Sequence, residues 1–286
     1  MKRRTRKQLP AMLGMGSVLV VGIIGLGYMG LQTYGKASAD VYGCYDDAPQ
    51  RSTFVIVDAS TPRFNAEQAR SLRSYFDQLY AGLAFNERLS FFTSEGDQIA
   101  SVARPRFSLC GQAKTPDQLE AINAPGGEAG YLRKQRERLY AKVLAPELDA
   151  LLAQNVPSAR TQNYQSPVLE LIADLSRLPA MRPGSRLIIV SDMLQNSDSA
   201  RFCRRRGDMP RFSVFRKRPI FERIKPSSLD GVDVEVLLIQ RYGYGQPGME
   251  FCRDEEELRA FWRDYFIAAG VSSPSFVRIR LGITGR

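Results

Sequence analysis

No histidine occurs among the 286 residues. Ser-His-Asp triads, Cys-His pairs, zinc sites with imidazole ligands and imidazole pH switches are therefore excluded. Carboxylate, hydroxyl, thiol, lysine and arginine chemistry remains. Four residues stand where such chemistry would be assembled. Asp58 and Ser60 form an Asp-x-Ser sequence at the end of the apolar run Thr53–Asp58, TFVIVD. Ser166 opens the segment SPVLELI, and Asp192 ends the apolar run Arg186–Asp192, RLIIVSD. Carboxylates and hydroxyls from three separate loops supply oxygen ligands to a hard octahedral cation such as Mg²⁺. The same residue types also cap helices, their oxygens accepting from N–H groups of the first turn. Both roles are open at this point.

These residues need elements to bring them together, and the chain alternates strand and helix patterns. Thr53–Asp58 is a short, continuously apolar run, as in a central parallel strand covered on both faces. Asn65 begins a helix, with Gln68 three residues on as its capping-box partner. Leu72, Phe76, Leu79, Tyr80 and Leu83 make its apolar stripe. Arg88–Thr93 is a second strand. Ile99–Leu109 is predicted as an edge strand, because Pro105 would interrupt an interior ladder. Residues 111–129 read as loop. Gly130–Ala153 is helical, broken or restarted at Pro146, and Ser166–Leu178 is a helix with Ser166 as N-cap and Pro167 in its first turn. Further strands are Arg186–Asp192, Val232–Gln240 and Phe276–Leu281. Asp254 caps a last helix, Glu255–Ala269, with Leu258, Phe261, Trp262, Tyr265 and Phe266 on one face. Such alternation predicts an α/β fold: a doubly wound, mostly parallel sheet with helices on both faces. Its functional edge is the carboxyl end of the strands, where Asp58, Ser166 and Asp192 would lie.

With that order of elements, residues 52–282 resemble a von Willebrand factor type A domain. The resemblance rests on the strand context together with Asp58 and Ser60, which match the first two positions of the family's D-x-S-x-S loop. Pro62 replaces the third hydroxyl, with Thr61 adjacent. Ser166 stands for the threonine of a later loop, and Asp192 matches the acid after the fourth strand. The resemblance implies a metal-ion-dependent adhesion site, incomplete at Pro62, made of Asp58, Ser60, Ser166 and Asp192. Mg²⁺ or another divalent cation is the cofactor it implies, with no other. It also implies binding through a partner's carboxylate that completes the metal's coordination.

Ahead of this domain, Lys2, Arg3, Arg4, Arg6 and Lys7 precede Ala11–Leu31, twenty-one residues without a charge. That run spans about 30 Å as a helix, a bilayer's hydrocarbon thickness. The basic flank places residues 1–10 in the cytoplasm and the domain across the inner or plasma membrane, periplasmic or extracellular, after a linker over 32–51. Two other readings also export the domain: a signal cleaved after Ala37-Ser38-Ala39, and Arg3-Arg4 as a twin-arginine signal without its usual apolar residues. The run also contains Gly25-Leu26-Gly27-Tyr28-Met29-Gly30, a G-x-G-x-x-G that resembles the dinucleotide fingerprint of Rossmann-type dehydrogenases. Its apolar run is too long for a Rossmann strand, and residues 31–39 offer almost no apolar face for the helix that must follow. Glycine is at home in membrane helices.

Cys44, Cys110, Cys203 and Cys252 all follow the apolar run, and none is spaced as C-x-x-C. An even number in an exported domain reads as two disulfides with three connectivities open. In the topology described above, Cys203 and Cys252 both follow strands that end at the functional edge and are placed to pair. Cys44–Cys110 follows if the third strand runs antiparallel.

The formal charge of +10 is unevenly placed. Residues 201–225 carry ten basic and two acidic residues, so the rest of the chain beyond the N-terminus is mildly acidic. A diffuse nucleic-acid-binding surface is not what this describes. In 201–225, arginines interleave with Phe202, Phe212, Phe215 and Phe221. Arg204, Arg205, Arg206, Arg216, Lys217 and Arg218 are the expected partner-binding residues, facing an acidic protein, anionic lipid or an envelope polymer. The alternative is a solvated arm whose phenylalanines tuck against the body. The expected function is a membrane-anchored, exported binding module that joins or assembles an envelope complex without catalysis. A metal-assisted hydrolase using Asp58 and Asp192, and the dinucleotide oxidoreductase, are the enzymatic alternatives.

Overall fold

The computed structural model describes residues 36–58, 64–94, 104–153, 165–203, 209–240 and 255–280. Among these, β1 (Ser52–Val57), β2 (Arg88–Thr93), β3 (Phe107–Cys110), β4 (Arg186–Ser191), β5 (Asp233–Ile239) and β6 (Ser275–Ile279) form one sheet. Its order is β3-β2-β1-β4-β5-β6. Every neighbouring pair is parallel except β2–β3, which is antiparallel. All six residues of β1 are buried, and β4 is buried from Leu187 onward, as expected of central strands covered on both faces.

The pleat sorts each strand between two layers. Phe54 and Ile56 of β1, Leu187 and Ile189 of β4, and Val234, Val236 and Leu238 of β5 face one core. Helices α5 (Val168–Leu175) and α8 (Glu255–Ala268) cover that face. Val55, Val57, Ile188, Val190, Leu237 and Ile239 face the other core. There α1 (Ala66–Gly82) and α4 (Ala145–Leu152) pack. The mixed α/β class with helices on both faces is therefore observed.

Helix α1 starts where its capping box predicts. Asn65 Oδ1 accepts from Gln68 N at 2.8 Å, and Gln68 Oε1 accepts from Asn65 N at 3.2 Å. Leu72, Phe76, Leu79 and Leu83 are buried, while Tyr80 is partly buried. Residues 111–129 are not all loop: α2 (Pro116–Glu120) forms behind the capping box of Thr115 and Gln118. The predicted Gly130–Ala153 helix is α3 (Ala129–Leu139), a π-helical turn (Tyr140–Leu144) and α4, with Pro146 in the first turn of α4.

Two expectations are corrected at element ends. Among the described residues the edge strand begins at Phe107, beyond Pro105, which leaves the ladder free of a residue that cannot donate to it, while residues 99–103 of the predicted strand lie outside the described residues. Helix α5 begins at Val168, so Ser166 is not its N-cap; Ser166 instead forms a bridge with Asn196. Ala11–Leu31, the glycines at 25–30 and the first residues of the predicted linker lie outside the described residues. Among the described residues no helix is long and apolar enough to cross a membrane.

Residues 36–50 are fastened to the sheet. Cys44 and Cys110 form a disulfide, as expected for an antiparallel β3. Tyr45 N donates to Asn86 Oδ1, and Asn86 Nδ2 donates to Tyr45 O, both at 2.9 Å. Asn86 holds this position with a φ of 59°, a left-handed conformation that asparagine tolerates.

Candidate functional site

Register assembles the site. Val57 lies opposite Thr93 of β2 and Val190 of β4. The next residue on each strand is therefore in line, giving a row of Ser94, Asp58 and Ser191 across three adjacent strand ends. Alternation turns all three toward the face covered by α5, because Phe92, Ile56 and Ile189, two residues back, already point there.

Asp58 is 2% exposed. Its Oδ1 accepts from Ser94 Oγ at 2.9 Å; its Oδ2 accepts from Ser166 Oγ at 2.7 Å and Ser191 Oγ at 2.8 Å. Asp58 N donates to Val190 O at 2.9 Å, extending the β1–β4 ladder by one bond. Ser166 is delivered by the segment before α5, held by two backbone bonds. Ser166 N donates to Asn196 O, and Asn196 N donates to Ser166 O.

Past β4 the chain bends tightly. Met193 has a φ of 61°, and its N–H donates to Ser191 Oγ at 2.8 Å. Asp192 Oδ1 accepts from Leu194 N at 3.0 Å, and Trp262 Nε1 of α8 donates to Met193 O at 2.9 Å. A non-glycine residue in that conformation is costly, and the bonds on both sides of it hold the turn in place.

The turn continues into a second buried network. Gln195 is fully buried; its Oε1 accepts from Leu169 N, while its Nε2 donates to Glu170 Oε2 and Ser197 Oγ. Ser197 Oγ donates to Glu170 Oε1 at 2.6 Å. A cavity of about 340 Å³ opens beside it, lined by Gln165, Glu170, Asp174, Ser197 and Arg223 among others. Burial, partly offset by the neighbouring Arg177, holds the Asp174 carboxyl above its usual range. Burial also drives the Tyr265 phenol of α8 far above its usual range, with the Glu170 charge adding to it. Among the described residues the Tyr265 hydroxyl has no hydrogen-bond partner.

Of the residues expected from the sequence, Asp58 and Ser166 are in direct contact. Asp192 is buried at the same edge, one residue beyond the row. Ser60 lies outside the described residues. Ser94 and Ser191 were not anticipated. The available signal was a hydroxyl at or just beyond a strand end, RLSFFTS and RLIIVS, but it acquires meaning only when β2 and β4 are known to flank β1.

The donor set is all oxygen, which suits a hard cation. A hydroxyl that gives its proton to a carboxylate keeps lone pairs for a metal, so Ser166 is compatible with ligation. The same bonds also satisfy the Asp58 carboxylate from within the protein. Among the described residues no group of three or more Cys, Asp or Glu is gathered for a metal ion, so a cation here would rely on hydroxyl ligands. The loops flanking the β1/β4 switch point, where an open sheet of this order binds dinucleotides, carry Asp58 and Asp192 and no glycine fingerprint.

Cys203 is disulfide-bonded, and Cys252, its expected partner, lies outside the described residues. Arg204, Arg205 and Arg206 also lie outside them. Arg216, Lys217 and Arg218 are exposed and make no hydrogen bond to the Asp58 row. They sit between the short helices α6 (Phe212–Phe215) and α7 (Phe221–Ile224). Phe202, Phe212 and Phe215 are buried against Phe261, and Phe212 also meets Tyr265. The phenylalanines of the basic segment are therefore anchored in the α8 core, while its cations face water.

No known protein family matches the chain, and no curated protein matches it either. Among solved structures, the crystal structure of an aerotolerance-related membrane protein from Bacteroides fragilis, with multiple mutations to serines, is 13% identical. The match has a TM-score of 0.32 and covers 80% of this chain and 90% of that one.

Proposed function

We propose that the chain is a membrane-anchored, exported von Willebrand factor A-like domain that binds a protein partner in an envelope complex and performs no catalysis. The reading rests on one observation above the others. The sheet order sets Ser94, Asp58 and Ser191 in a row at the carboxyl edge, with Ser166 closing it from the α5 side. The row is buried and rich in oxygen, and it fixes the strand ends from which the segments carrying Ser60 and Asp192 continue. Asp58, Ser60, Ser166 and Asp192 would hold a Mg²⁺ ion there. When bound, the ion supplies a Lewis-acidic position for a partner's carboxylate. The domain boundaries remain 1–10 for the cytoplasmic end, 11–31 for the membrane helix, 32–51 for the linker and 52–286 for the domain. The fastening of residues 36–50 to β2 and β3 makes part of that linker structural.

The test is crosslinking in intact envelopes followed by capture of the full chain, with Mg²⁺ present and with a chelator. Calorimetry of Mg²⁺ on the same chain and on Asp192→Ala accompanies it. The expected result is a reproducible protein partner whose recovery falls with the chelator and with Asp192→Ala. Capture of no partner under any condition overturns the binding role. A partner captured equally in all conditions, with no Mg²⁺ heat, keeps the binding role and removes the metal.

A further inference from the structure

Residues 209–225 of the basic segment hold six cations and one acid. Arg218 lies over the Phe215 ring at 5.7 Å, and Lys225 pairs with Glu222. Arg211, Arg216, Lys217 and Arg223 are exposed and have no ion pair among the described residues. Unpaired cations on a flexible arm would be unremarkable, but these are mounted on a packed base. Phe212 and Phe215 are 6% and 0% exposed and make edge contacts with Phe202, Phe221, Phe261 and Tyr265. Their backbone entropy is therefore already lost before any partner arrives. Among them Val214 is 56% exposed, a large apolar side chain held outward between Arg211 and Lys217.

An exposed apolar side chain in a segment of cations that have no ion pair among the described residues matches a surface that offers anions at its face and hydrocarbon beneath. In the anchored reading the segment also lies within reach of such a surface. Arg177 donates to Lys225 O at 3.2 Å, and Arg182 donates to Gln50 O. Both arginines belong to the connection between α5 and β4, so Lys225 and Gln50 both lie toward the edge of the sheet where β1 and β4 begin. Only four residues separate Leu31, the end of the uncharged run, from Lys36. Extended, that interval spans roughly 17 Å. Val41 and Tyr42, just beyond it, are themselves exposed.

We propose that residues 211–223 dock on the anionic phospholipid headgroups of the membrane that anchors the chain, with Val214 entering the headgroup layer. The contact rests on the anchored reading above. It would hold the domain on its side, with the α8 layer toward the lipid and the Asp58 edge open to a partner.

The test is hydrogen exchange on the full chain in nanodiscs of phosphatidylcholine, with and without phosphatidylglycerol. Amides of 211–218 are expected to exchange several-fold more slowly in the anionic discs, and high salt should abolish the difference. The variant Arg211→Glu, Arg216→Glu, Lys217→Glu should lose it while β1 and β4 keep their protection, which shows that the variant is folded. Equal exchange in both discs overturns the proposal. So does a photo-crosslinker at Val214 that captures protein instead of lipid in intact envelopes. If carbonate strips the chain from membranes, the anchored reading fails by itself. Sedimentation of the stripped chain with vesicles of the same two compositions then decides the lipid contact alone.

Discussion

Asp58 has a buried carboxylate whose two oxygens take hydrogen bonds from three hydroxyls on three different segments. Its contribution to stability is therefore collective. Asp58→Ala leaves Ser94, Ser166 and Ser191 without that acceptor, and a buried hydroxyl left unsatisfied costs about 1–3 kcal/mol. Because the three share one partner their costs are not additive, and the expected loss is about 3–5 kcal/mol by urea denaturation. Ser94→Ala, which leaves the carboxylate two of these donors, should cost only about 1 kcal/mol. Equal costs for the two substitutions would show that the row does not act as a unit. Tyr265 presents the reverse case. Its hydroxyl is buried with no partner among the described residues, so Tyr265→Phe should raise stability by about 1 kcal/mol.

At the scale of elements, the disulfide and the aromatic base do most to define where segments lie. Cys44–Cys110 closes a loop of 66 residues, for which loop-closure entropy gives an upper figure of about 4 kcal/mol. Replacing both cysteines by alanine should lower the urea midpoint by an equivalent of about 2–4 kcal/mol. It should also raise proteolysis within 36–50 while β4 and β5 keep their exchange protection. A loss of protection across the whole sheet would mean that the disulfide stabilises the domain globally. This is also the scale at which the sequence is most legible. Apolar runs such as TFVIVD and RLIIVSD announce buried strands, and the Asn65–Gln68 pair announces a helix start, because both signals are local. Ser166 misled for the same reason. A serine followed by proline before an apolar helix reads as a cap, whereas its hydroxyl is drawn to Asp58, 108 residues earlier. Helix α2 is hard to read in the sequence because its signals, a capping box and Pro116 in the first turn, belong to only five residues.

At the scale of the whole molecule, three tyrosines link the two layers to pH. Burial pushes the Tyr80 phenol up to about 12, and burial with the Glu235 bond drives Tyr75 higher still. Tyr265 is raised as well. A phenol whose folded pKa lies above its unfolded value contributes stability that is intact below about pH 10. That stability is lost as pH rises toward the folded value. Thermal midpoints should therefore hold steady through neutral pH and fall as pH climbs from about 10 toward 12. Tyr80→Phe and Tyr265→Phe should each shift that decline to higher pH. An unchanged alkaline profile in both variants would show that other groups govern it.

Composition and local pattern by themselves determined that imidazole chemistry is absent, that the chain alternates strands and helices, and that its charge is concentrated in two segments. They also determined which faces of α1 and α8 are apolar. These properties follow from residue type and from neighbours within a turn or a pleat. Only the tertiary structure decided the strand order, the antiparallel β3, the Cys44–Cys110 pairing and the row of Ser94, Asp58 and Ser191. Register and order are set by which apolar faces pack together across distant stretches of chain. A one-residue slip would turn Asp58 toward the α1 layer, away from the hydroxyls that hold it.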